Sequence, residues 1–303
     1  MSERAVDRNG VLRVVTLNTG SLFEPDWPSR RMELVAWLGE LDADVVCLQE
    51  VWETDTDGCS ATWIVDQFPE GHWHWAFGGP AYVPFNQTEP VRFGSAILSR
   101  WPLEWSRLDV LPIDDRRGIP DYFRMPLELF SARTAGIDFY STHLAPPPQQ
   151  AYHRIAQVMF INDVIKARQT GTDLVGPILC GDFNAEADSD EIRFLKSLAT
   201  IEGQSTYFQE AWQVTAQTGL GITADPRSNP TAASLNTPPK RIDYVFAADA
   251  FLRPKGAGLI SHVELCFNEP LTGVYASDHF GLMAEVIWPN RPSRPTQMEQ
   301  IRG

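Results

Sequence analysis

The stretch ILCGDFNAEADSDEI, residues 178–192, raises the question on which the interpretation of the whole sequence depends. Its apolar run stops at Gly181, and Asp182 and Asn184 follow two positions apart. One interpretation is a simple turn, because Asp and Asn side chains hydrogen-bond their own backbone. The other is a buried strand that ends by presenting an acid and an amide to a site, since loop-borne active sites gather at sheet edges.

Short strand-like runs recur along the chain and alternate early on with helical patterns. Strands are predicted at residues 11–17, 44–49, 94–99, 136–144, 177–182, 241–246, 259–267 and 280–288. Apolar residues at helical spacing predict helices over 29–41, 152–167 and 188–198, the last with Asp188 and Glu191 as its capping start. This mixture predicts an α/β protein of packed sheets flanked by helices.

The composition fits one large folded domain. Of 303 residues, 43% are hydrophobic, with 10 Trp and 16 Phe, so the chain can bury a sizeable core. No repeat or shift of composition divides it, and we expect a flexible N-terminus at 1–10, one catalytic domain over 11–288 and a flexible tail at 289–303. Two long irregular segments, 79–92 and 219–240, are expected to be functional or disordered.

Charge and cysteine content limit the partners and the compartment. The net charge of −14 and pI of about 4.8 repel polyanions, and no basic stripe indicates duplex binding, although a local patch or a bound cation would offset this. The four cysteines show no paired spacing, which favours a reducing compartment. Without an apolar signal region or a run of about 18 apolar residues, we expect a cytoplasmic protein with no transmembrane segment.

Polar residues whose side chains suit metal and phosphate chemistry stand at the ends of six predicted strands. They are Asn18, Glu50, His143, Asp182, Asn184, Asp243, Asp278 and His279. Any one of them is an ordinary cap, turn or structural residue. Together they supply the oxygen and imidazole groups that hard-metal and phosphate chemistry requires, which predicts a single site at a sheet edge.

These residues lie in an ordered series of motifs that resembles the endonuclease/exonuclease/phosphatase superfamily. The motifs are LNTGSL at 17–22, LQEVW at 48–52, STHL at 141–144, GDFNAEADSDE at 181–191, RIDYVF at 241–246 and SDHFGLMAEV at 277–286. Members of that superfamily include DNase-type nucleases, AP endonucleases, inositol-phosphate 5-phosphatases and neutral sphingomyelinases. The series is specific for the superfamily and says little about the substrate.

The resemblance implies a four-layer α/β sandwich, in which two packed, mostly antiparallel β-sheets are flanked by helices and carry the site at one edge. It also implies a divalent cation, with Glu50 as the principal ligand, Asn18 beside it as a further metal ligand, and Asp278 supporting the metal or its waters. Few hard oxygen ligands suit Mg²⁺, which keeps several waters, and Mn²⁺ is expected to substitute.

The remaining motif residues take roles in phosphoester hydrolysis by the same resemblance. Asp182 would orient and deprotonate the attacking water, and Asn184 would hold a phosphoryl oxygen. His279 would donate to a non-bridging oxygen, with Asp243 fixing its tautomer and orientation. His143 would contact the phosphate or assist the leaving group as an acid.

Three features of the sequence allow more than one interpretation. Several nuclease members have an acid where this chain has Gly20, which leaves a second metal site in doubt. Arg124 precedes a strand and is either a phosphate contact or a surface residue. His72 and His74 invite a zinc interpretation, but without a third ligand they are better explained as a polar strand face.

The acidic composition favours a metal-dependent phosphoesterase acting on a small or lipid-like phosphate, monoester or diester. The alternative is a nuclease or nucleic-acid end-processing enzyme, whose phosphate track would use Arg92, Arg116, Arg117, Arg124 and Lys240. A non-catalytic binding module on the same fold is a third interpretation, and retention of every motif position speaks against it. The sequence leaves the oligomeric state open.

Overall fold

The structure, a computed structural model, describes residues 10–20, 24–83, 89–113, 127–169, 171–235, 237–249, 251 and 253–295. Its strands are β1 Val11–Asn18, β2 Val45–Thr54, β3 Gly58–Cys59, β4 His74–Gly78, β5 Ala81–Tyr82, β6 Val91–Ser99, β7 Leu103–Val110, β8 Glu128–Thr134, β9 Ile137–His143, β10 Ile178–Asp182, β11 Phe208–Glu210, β12 Asp243–Ala248, β13 Ile260–Cys266 and β14 Gly281–Ile287. Its α-helices are α1 Trp27–Leu41, α2 Ser60–Val65, α3 Ala151–Arg168, α4 Asp190–Leu195 and α5 Ala211–Val214. Short 3-10 turns lie at Pro148–Gln150, Pro230–Leu235 and Pro254–Gly256.

The strands form two open sheets. The first has the order β13-β14-β1-β2-β6-β4, with β3 attached to β2 and β5 to β6, and the second has the order β11-β12-β10-β9-β8-β7. Neighbours are antiparallel except for one parallel pair in each sheet, β1 with β2 and β9 with β10. The predicted, mostly antiparallel sheets are therefore confirmed.

Three hydrophobic clusters show how the layers stack. The cluster between the sheets joins side chains such as Val14 and Cys47 of the first sheet to Phe139 and Cys180 of the second. A second cluster packs α1 and α2 on the outer face of the first sheet, and a third packs α3 and α4 on the outer face of the second. The order helix, sheet, sheet, helix confirms the predicted four-layer sandwich.

The two parallel pairs bring polar strand ends to one edge. In the first sheet Asn18 pairs with Gln49, directly before Glu50. In the second sheet Asp182 pairs with His143 on one side, and with Asp243 at the start of the antiparallel β12 on the other. Since parallel strands finish at the same edge, the sheets meet there with their polar ends side by side.

Helix positions agree with the sequence except near α4. The first two predicted helices are confirmed to within two residues, whereas α4 is only six residues long. The predicted capping start is wrong: Ser189 occupies the N-cap position without a side-chain cap, and Glu191 pairs with Arg154 at 2.6 Å instead. A buried carboxylate beside an arginine gains more from that ion pair than from a capping hydrogen bond. No helix in the described part of the chain is long and apolar enough to cross a bilayer.

Part of the predicted flexible tail is docked. Arg291 and Arg294 form ion pairs with Asp44, and Arg294 also pairs with Asp42. The indole of Trp101 donates to the carbonyl of Ser293 at 3.0 Å. Residues 291–294 therefore pack against the sandwich at the end opposite the polar strand ends.

Candidate functional site

Gly181 determines how strand β10 ends. This residue has φ +146°, and a Cβ built on it would lie 2.0 Å from the carbonyl oxygen of Thr142 on β9. Only glycine allows β10 to pass so close to its parallel neighbour. The backbone then brings Asp182, a residue that is 1% exposed, to the edge of the sheet.

Asp182 is fixed through both carboxylate oxygens. Oδ1 accepts from the backbone N–H of Asn184 at 2.8 Å, and Oδ2 accepts from Asn18 Nδ2 at 3.0 Å. Asn184 adopts the left-handed φ of +48° that this turn requires, and its Nδ2 donates to the carbonyl of Leu144 at 3.0 Å. The turn chemistry is real, and it orients a buried carboxylate toward the other sheet.

Asp243 and His279 form a buried pair across the site. His279 Nδ1 lies 2.9 Å from Asp243 Oδ2, and Asp243 is fully buried at the first position of β12. The other imidazole nitrogen, Nε2, faces Asp182 Oδ2 at 3.8 Å and Asp278 Oδ2 at 3.9 Å. Three carboxylates therefore surround one imidazole.

The carboxylates determine the charge of His279. Burial by itself lowers the pKa of this imidazole, but Asp243, Asp278 and Asp182 together raise the pKa of His279 well above its usual value. The raised pKa favours the imidazolium form, which has N–H donors on both nitrogens. Nδ1–H is occupied by Asp243, which leaves Nε2–H directed at the shared space.

His143 has the opposite electrostatic setting. Burial lowers the pKa of His143, and the charge of His279 lowers it further, against the raising effects of Asp182 and Asp278. Its Nε2 is 3.5 Å from Asp182 Oδ2, and its buried Nδ1 has no hydrogen-bond partner in the described part of the chain. Of the two predicted roles of His143, a neutral imidazole suits contact with the phosphate better than acid assistance to the leaving group.

Glu50 reaches the site from an irregular point of β2. The pairing of β2 with β6 shifts register between Leu48 and Val51, and Glu50 has φ +57°. Bulges and left-handed residues of this kind re-aim side chains at active sites. Desolvation and the neighbouring Asp278 raise the pKa of Glu50 to about 8, against the lowering effect of the hydrogen bond from Asn18.

Asn18 bridges the two sheets. Its Nδ2 donates to Glu50 Oε1 at 2.9 Å as well as to Asp182, while its Oδ1 accepts from the backbone N–H of Gly20 at 3.0 Å. The Gly20 N–H fixes this amide orientation, because a flip would set two donors against each other. The side chain therefore turns its N–H groups, not its oxygen, to the site, which differs from the metal-ligand role predicted for Asn18.

The structure also accounts for the missing acid at position 20. Gly20 has φ +53°, and a Cβ there would lie 2.6 Å from Asp278 Oδ1 and 3.1 Å from Glu24 Cγ. The space that a side chain at position 20 would need is thus occupied by the carboxylate of Asp278. Glycine is required at this position by the close approach of residue 278.

Two sets of side chains qualify as cation ligands. Within the described residues, the ligand atoms of Asp182, Asp243 and His279 lie within 4.8 Å of one another. We regard this set as less suitable, because His279 Nδ1 is already bonded to Asp243 and the raised pKa of His279 favours its protonated form, which offers no lone pair. Glu50 and Asp278 instead offer carboxylate oxygens. Burial and then the charge of Asp278 raise the pKa of Glu50, and a divalent cation bound by both would favour its ionised form.

Two supporting residues escaped the sequence analysis. Thr223 Oγ1 accepts from the backbone N–H groups of Ile242 and Asp243 at 3.1 and 3.2 Å. Ser277 Oγ donates to the carbonyl of Asn18 at 2.6 Å and accepts from the N–H of His279 at 3.1 Å. Ser277 belongs to the SDH motif, whereas Thr223 lies in the irregular segment 219–240 and carried no recognisable signal.

Arg92, His72 and His74 do not join this cluster. Arg92 forms an ion pair with Glu53 at 2.6 Å. His72 Nδ1 lies 2.8 Å from Arg100 Nη1, and neither it nor His74 belongs to a three-ligand group among the described residues. The arginines at positions 116, 117 and 124, including the predicted substrate contact Arg124, lie outside the described residues.

Solved structures share this architecture. Truncated TDP2 from Caenorhabditis elegans aligns with a TM-score of 0.61 at 17% identity, covering 91% of this chain and 98% of that chain. TDP2 from D. rerio, complexed with a single-strand DNA product, gives 0.61 at 20% identity with the same coverage. An endonuclease/exonuclease/phosphatase family protein from Leptotrichia buccalis C-1013-b gives 0.63 at 17% identity, covering 91% of this chain and all of that one.

At these identities, the structural likeness establishes the fold. No curated protein is significantly similar to this chain in sequence. The sequence profile described as Endonuclease/Exonuclease/phosphatase family, however, matches residues 15–279 and includes every motif residue from Asn18 to His279. The chain therefore belongs to the endonuclease/exonuclease/phosphatase family.

Proposed function

We propose that the protein is a divalent-metal-dependent phosphoester hydrolase whose substrate is a small-molecule or lipid-like phosphate. The observation that carries this proposal is the array of Asp182, His279 and Asp243, linked to Glu50 through Asn18. It combines an acceptor for a proton from water with a charged donor for a phosphoryl oxygen. Both groups are needed when water attacks phosphorus.

In this proposal Asp182 accepts a proton as the water oxygen bonds to phosphorus and the bond from phosphorus to the leaving oxygen breaks. His279, held by Asp243, donates from Nε2 to the non-bridging oxygen that gains charge. Asn184 and neutral His143 contact the remaining phosphoryl oxygens.

Glu50 and Asp278 would hold the metal, and Asn18 would align Glu50 with Asp182. A bound Mg²⁺, or Mn²⁺ in its place, supplies positive charge to the phosphoryl group. The preference for Mg²⁺ is supported by the oxygen-only donor set.

Charge supports the substrate class. The net charge is −14, and three of the described arginines are engaged in ion pairs. Arg154 pairs with Glu191 at 2.6 Å and Arg241 with Glu210 at 2.9 Å, as Arg92 does with Glu53. Such pairing leaves little positive charge to follow a polynucleotide backbone. The four buried free cysteines support a reducing, cytoplasmic location as part of the same proposal.

The second candidate is a nucleic-acid end-processing enzyme. Its support is the fold shared with TDP2 from D. rerio, which was solved with a single-strand DNA product. A cavity of about 220 Å³ beside the site is lined by Asn184 and Lys240, so a second phosphate could meet a cation there.

A substrate panel with Mg²⁺ or Mn²⁺ separates the two candidates. The panel contains p-nitrophenyl phosphate, bis-p-nitrophenyl phosphate, a choline phospholipid, inositol phosphates, plasmid and a single-stranded oligonucleotide. Activity on small or lipid phosphates that disappears with EDTA and in Asp182→Asn supports the proposal. Activity only on oligonucleotide ends would support the second candidate instead. The absence of metal-dependent hydrolysis with every substrate would overturn both candidates.

A further inference from the structure

Arg30 on α1 is a buried cation with an unusual set of partners. The residue is 2% exposed, and all five N–H groups of its guanidinium donate to backbone carbonyls. The acceptors, at 2.8–3.0 Å, are the carbonyls of Thr19, Gly20, Glu24, Pro25 and Ala276. One guanidinium therefore gathers five carbonyls from two separate parts of the chain.

Both of these parts adjoin the candidate metal site, which consists of Glu50, Asp278 and the aligning residue Asn18. The first follows Asn18 directly and includes Gly20, whose Cα faces the Asp278 carboxylate. The second, at Ala276, leads into Ser277, Asp278 and His279. A shift of either segment relative to the other would change the position of Asp278 with respect to Glu50. The rigid fork of arginine is well suited to fixing such a separation.

The charge of Arg30 is not neutralised by a contacting carboxylate in the described part of the chain. Burial lowers the pKa of Arg30, while Asp278, Glu24 and Glu50 oppose that shift from nearby. Arg154, the comparable buried arginine on α3, differs in pairing directly with Glu191. The positive charge of Arg30 therefore offsets part of the negative charge of Asp278, Glu24 and Glu50 before any cation binds.

We propose that Arg30 is a positioning residue for the metal: its guanidinium joins the segment after Asn18 to the segment before Asp278, so that Glu50 and Asp278 are held at a metal-binding separation. This inference rests on the proposed function, in which those two carboxylates hold the cation. Residues that orient metal ligands without touching the metal contribute about 10- to 100-fold to affinity.

The test measures Mn²⁺ binding in the absence of substrate. Electron paramagnetic resonance monitors the concentration of free Mn²⁺ during the titration. Arg30→Lys keeps a charge but cannot span five carbonyls, and we expect its dissociation constant for Mn²⁺ to rise tenfold or more. The matched control is Arg133→Lys, at the far end of β8, where Arg133 pairs with Asp138 and Asp173 at 2.7 Å. This control should lose thermal stability without losing Mn²⁺ affinity.

A second readout separates positioning from a general loss of structure. Hydrolysis by Arg30→Lys should recover toward the wild-type rate as Mn²⁺ is raised to saturation, because Arg30 touches no reacting atom. If Arg30→Lys does not fold, Gly20→Ala tests the same joint, since its Cβ would lie 2.6 Å from Asp278 Oδ1 and push the two segments apart. It too should weaken Mn²⁺ binding.

The outcomes are distinguishable. Wild-type protein that binds no Mn²⁺ would count against the proposed function itself. Wild-type protein that binds Mn²⁺, with unchanged dissociation constants in Arg30→Lys or, where that variant does not fold, in Gly20→Ala, would overturn this inference alone. An equal loss of affinity in Arg133→Lys would also overturn it, because the effect would then follow stability.

Discussion

At the scale of single residues, the strongest coupling is between Asp243 and His279. They are 36 positions apart in sequence, yet Nδ1 and Oδ2 lie 2.9 Å apart in a buried setting. A carboxylate in this position fixes which imidazole nitrogen faces the reaction and stabilises the imidazolium. The role of each residue therefore depends on the other.

We expect Asp243→Asn and His279→Ala each to lower kcat severely, and the double variant to be little worse than the more damaged single one. Residues that act as one unit show this non-additivity. The measurement is kcat for the three variants at saturating metal, with circular dichroism as a control for folding. Logarithmic rates that add fully would remove the pair from the mechanism.

Asp182→Asn tests the proposed base. The new amide oxygen can still accept from the Asn184 N–H, but its NH₂ group would face Asn18 Nδ2, so a small loss of stability is expected. The rate should fall by about 10²- to 10⁴-fold. Rate at saturating substrate and melting temperature are measured together, and a large fall in melting temperature with little loss of rate would favour a purely structural turn.

Glu50→Gln tests the proposed ligand with little change of shape. The amide oxygen can still accept from Asn18, but the ligand loses its charge. We expect weaker Mg²⁺ binding and activity that excess metal partly restores. A variant that matches the wild-type rate at limiting Mg²⁺ would contradict the ligand assignment.

At the scale of secondary structure, the sequence predicted the strands and helices better than the bulges, caps and side-chain orientations at their ends. The apolar run before Gly181 predicted β10, and the spacing of apolar residues predicted α1 and α3. The β2 bulge at Glu50 and the orientation of Asn18 were not predictable, because both depend on partners distant in sequence. For the same reason the cap of α4 was predicted wrongly, since Glu191 is used by Arg154 on another helix.

Gly181→Ala tests whether the close approach of β9 and β10 shapes the site. A suitable control is Gly136→Ala in the turn before β9, because Gly136 has φ +76° and nothing within 4 Å of its built Cβ. Both variants carry the cost of placing alanine at a positive φ, about 1–3 kcal/mol. Only Gly181→Ala meets a carbonyl oxygen, so its free energy of unfolding should fall by roughly 3 kcal/mol or more. Equal losses in denaturant titrations would show that the strand contact has no special cost.

At the scale of the whole molecule, the site lies where two sheets meet through polar contacts. Gln49 Nε2 on β2 donates to Ser141 Oγ on β9 at 2.9 Å, and Ser95 on β6 donates to Glu128 on β8 at 2.9 Å. Glu128 is 1% exposed, and its burial raises its pKa to about 8. The carboxyl group between the sheets is therefore protonated at neutral pH, so the sandwich closes there without a buried charge.

This proton makes the stability of the sandwich depend on pH. The folded-state pKa of Glu128 is about 8, above the ordinary value of 4.5, so the folded protein binds the proton more tightly than the unfolded chain does. The contribution of this proton to the free energy of unfolding is complete below the ordinary pKa of 4.5. It is lost as the pH rises through the folded-state pKa of about 8, by at most about 1.4 kcal/mol per pH unit.

Glu128→Gln keeps a neutral acceptor for Ser95 and removes the titration. The variant should match wild-type stability at about pH 5 and exceed it at about pH 8 and above, in denaturant titrations across that range. Glu53→Gln, at an ion-paired surface carboxylate, serves as the control. A stability difference between wild type and Glu128→Gln that stays constant over this window would show that Glu128 is ionised in the folded protein. The sheets would then have to accommodate a buried negative charge close to Glu50, and the electrostatic setting of the candidate metal site would differ accordingly.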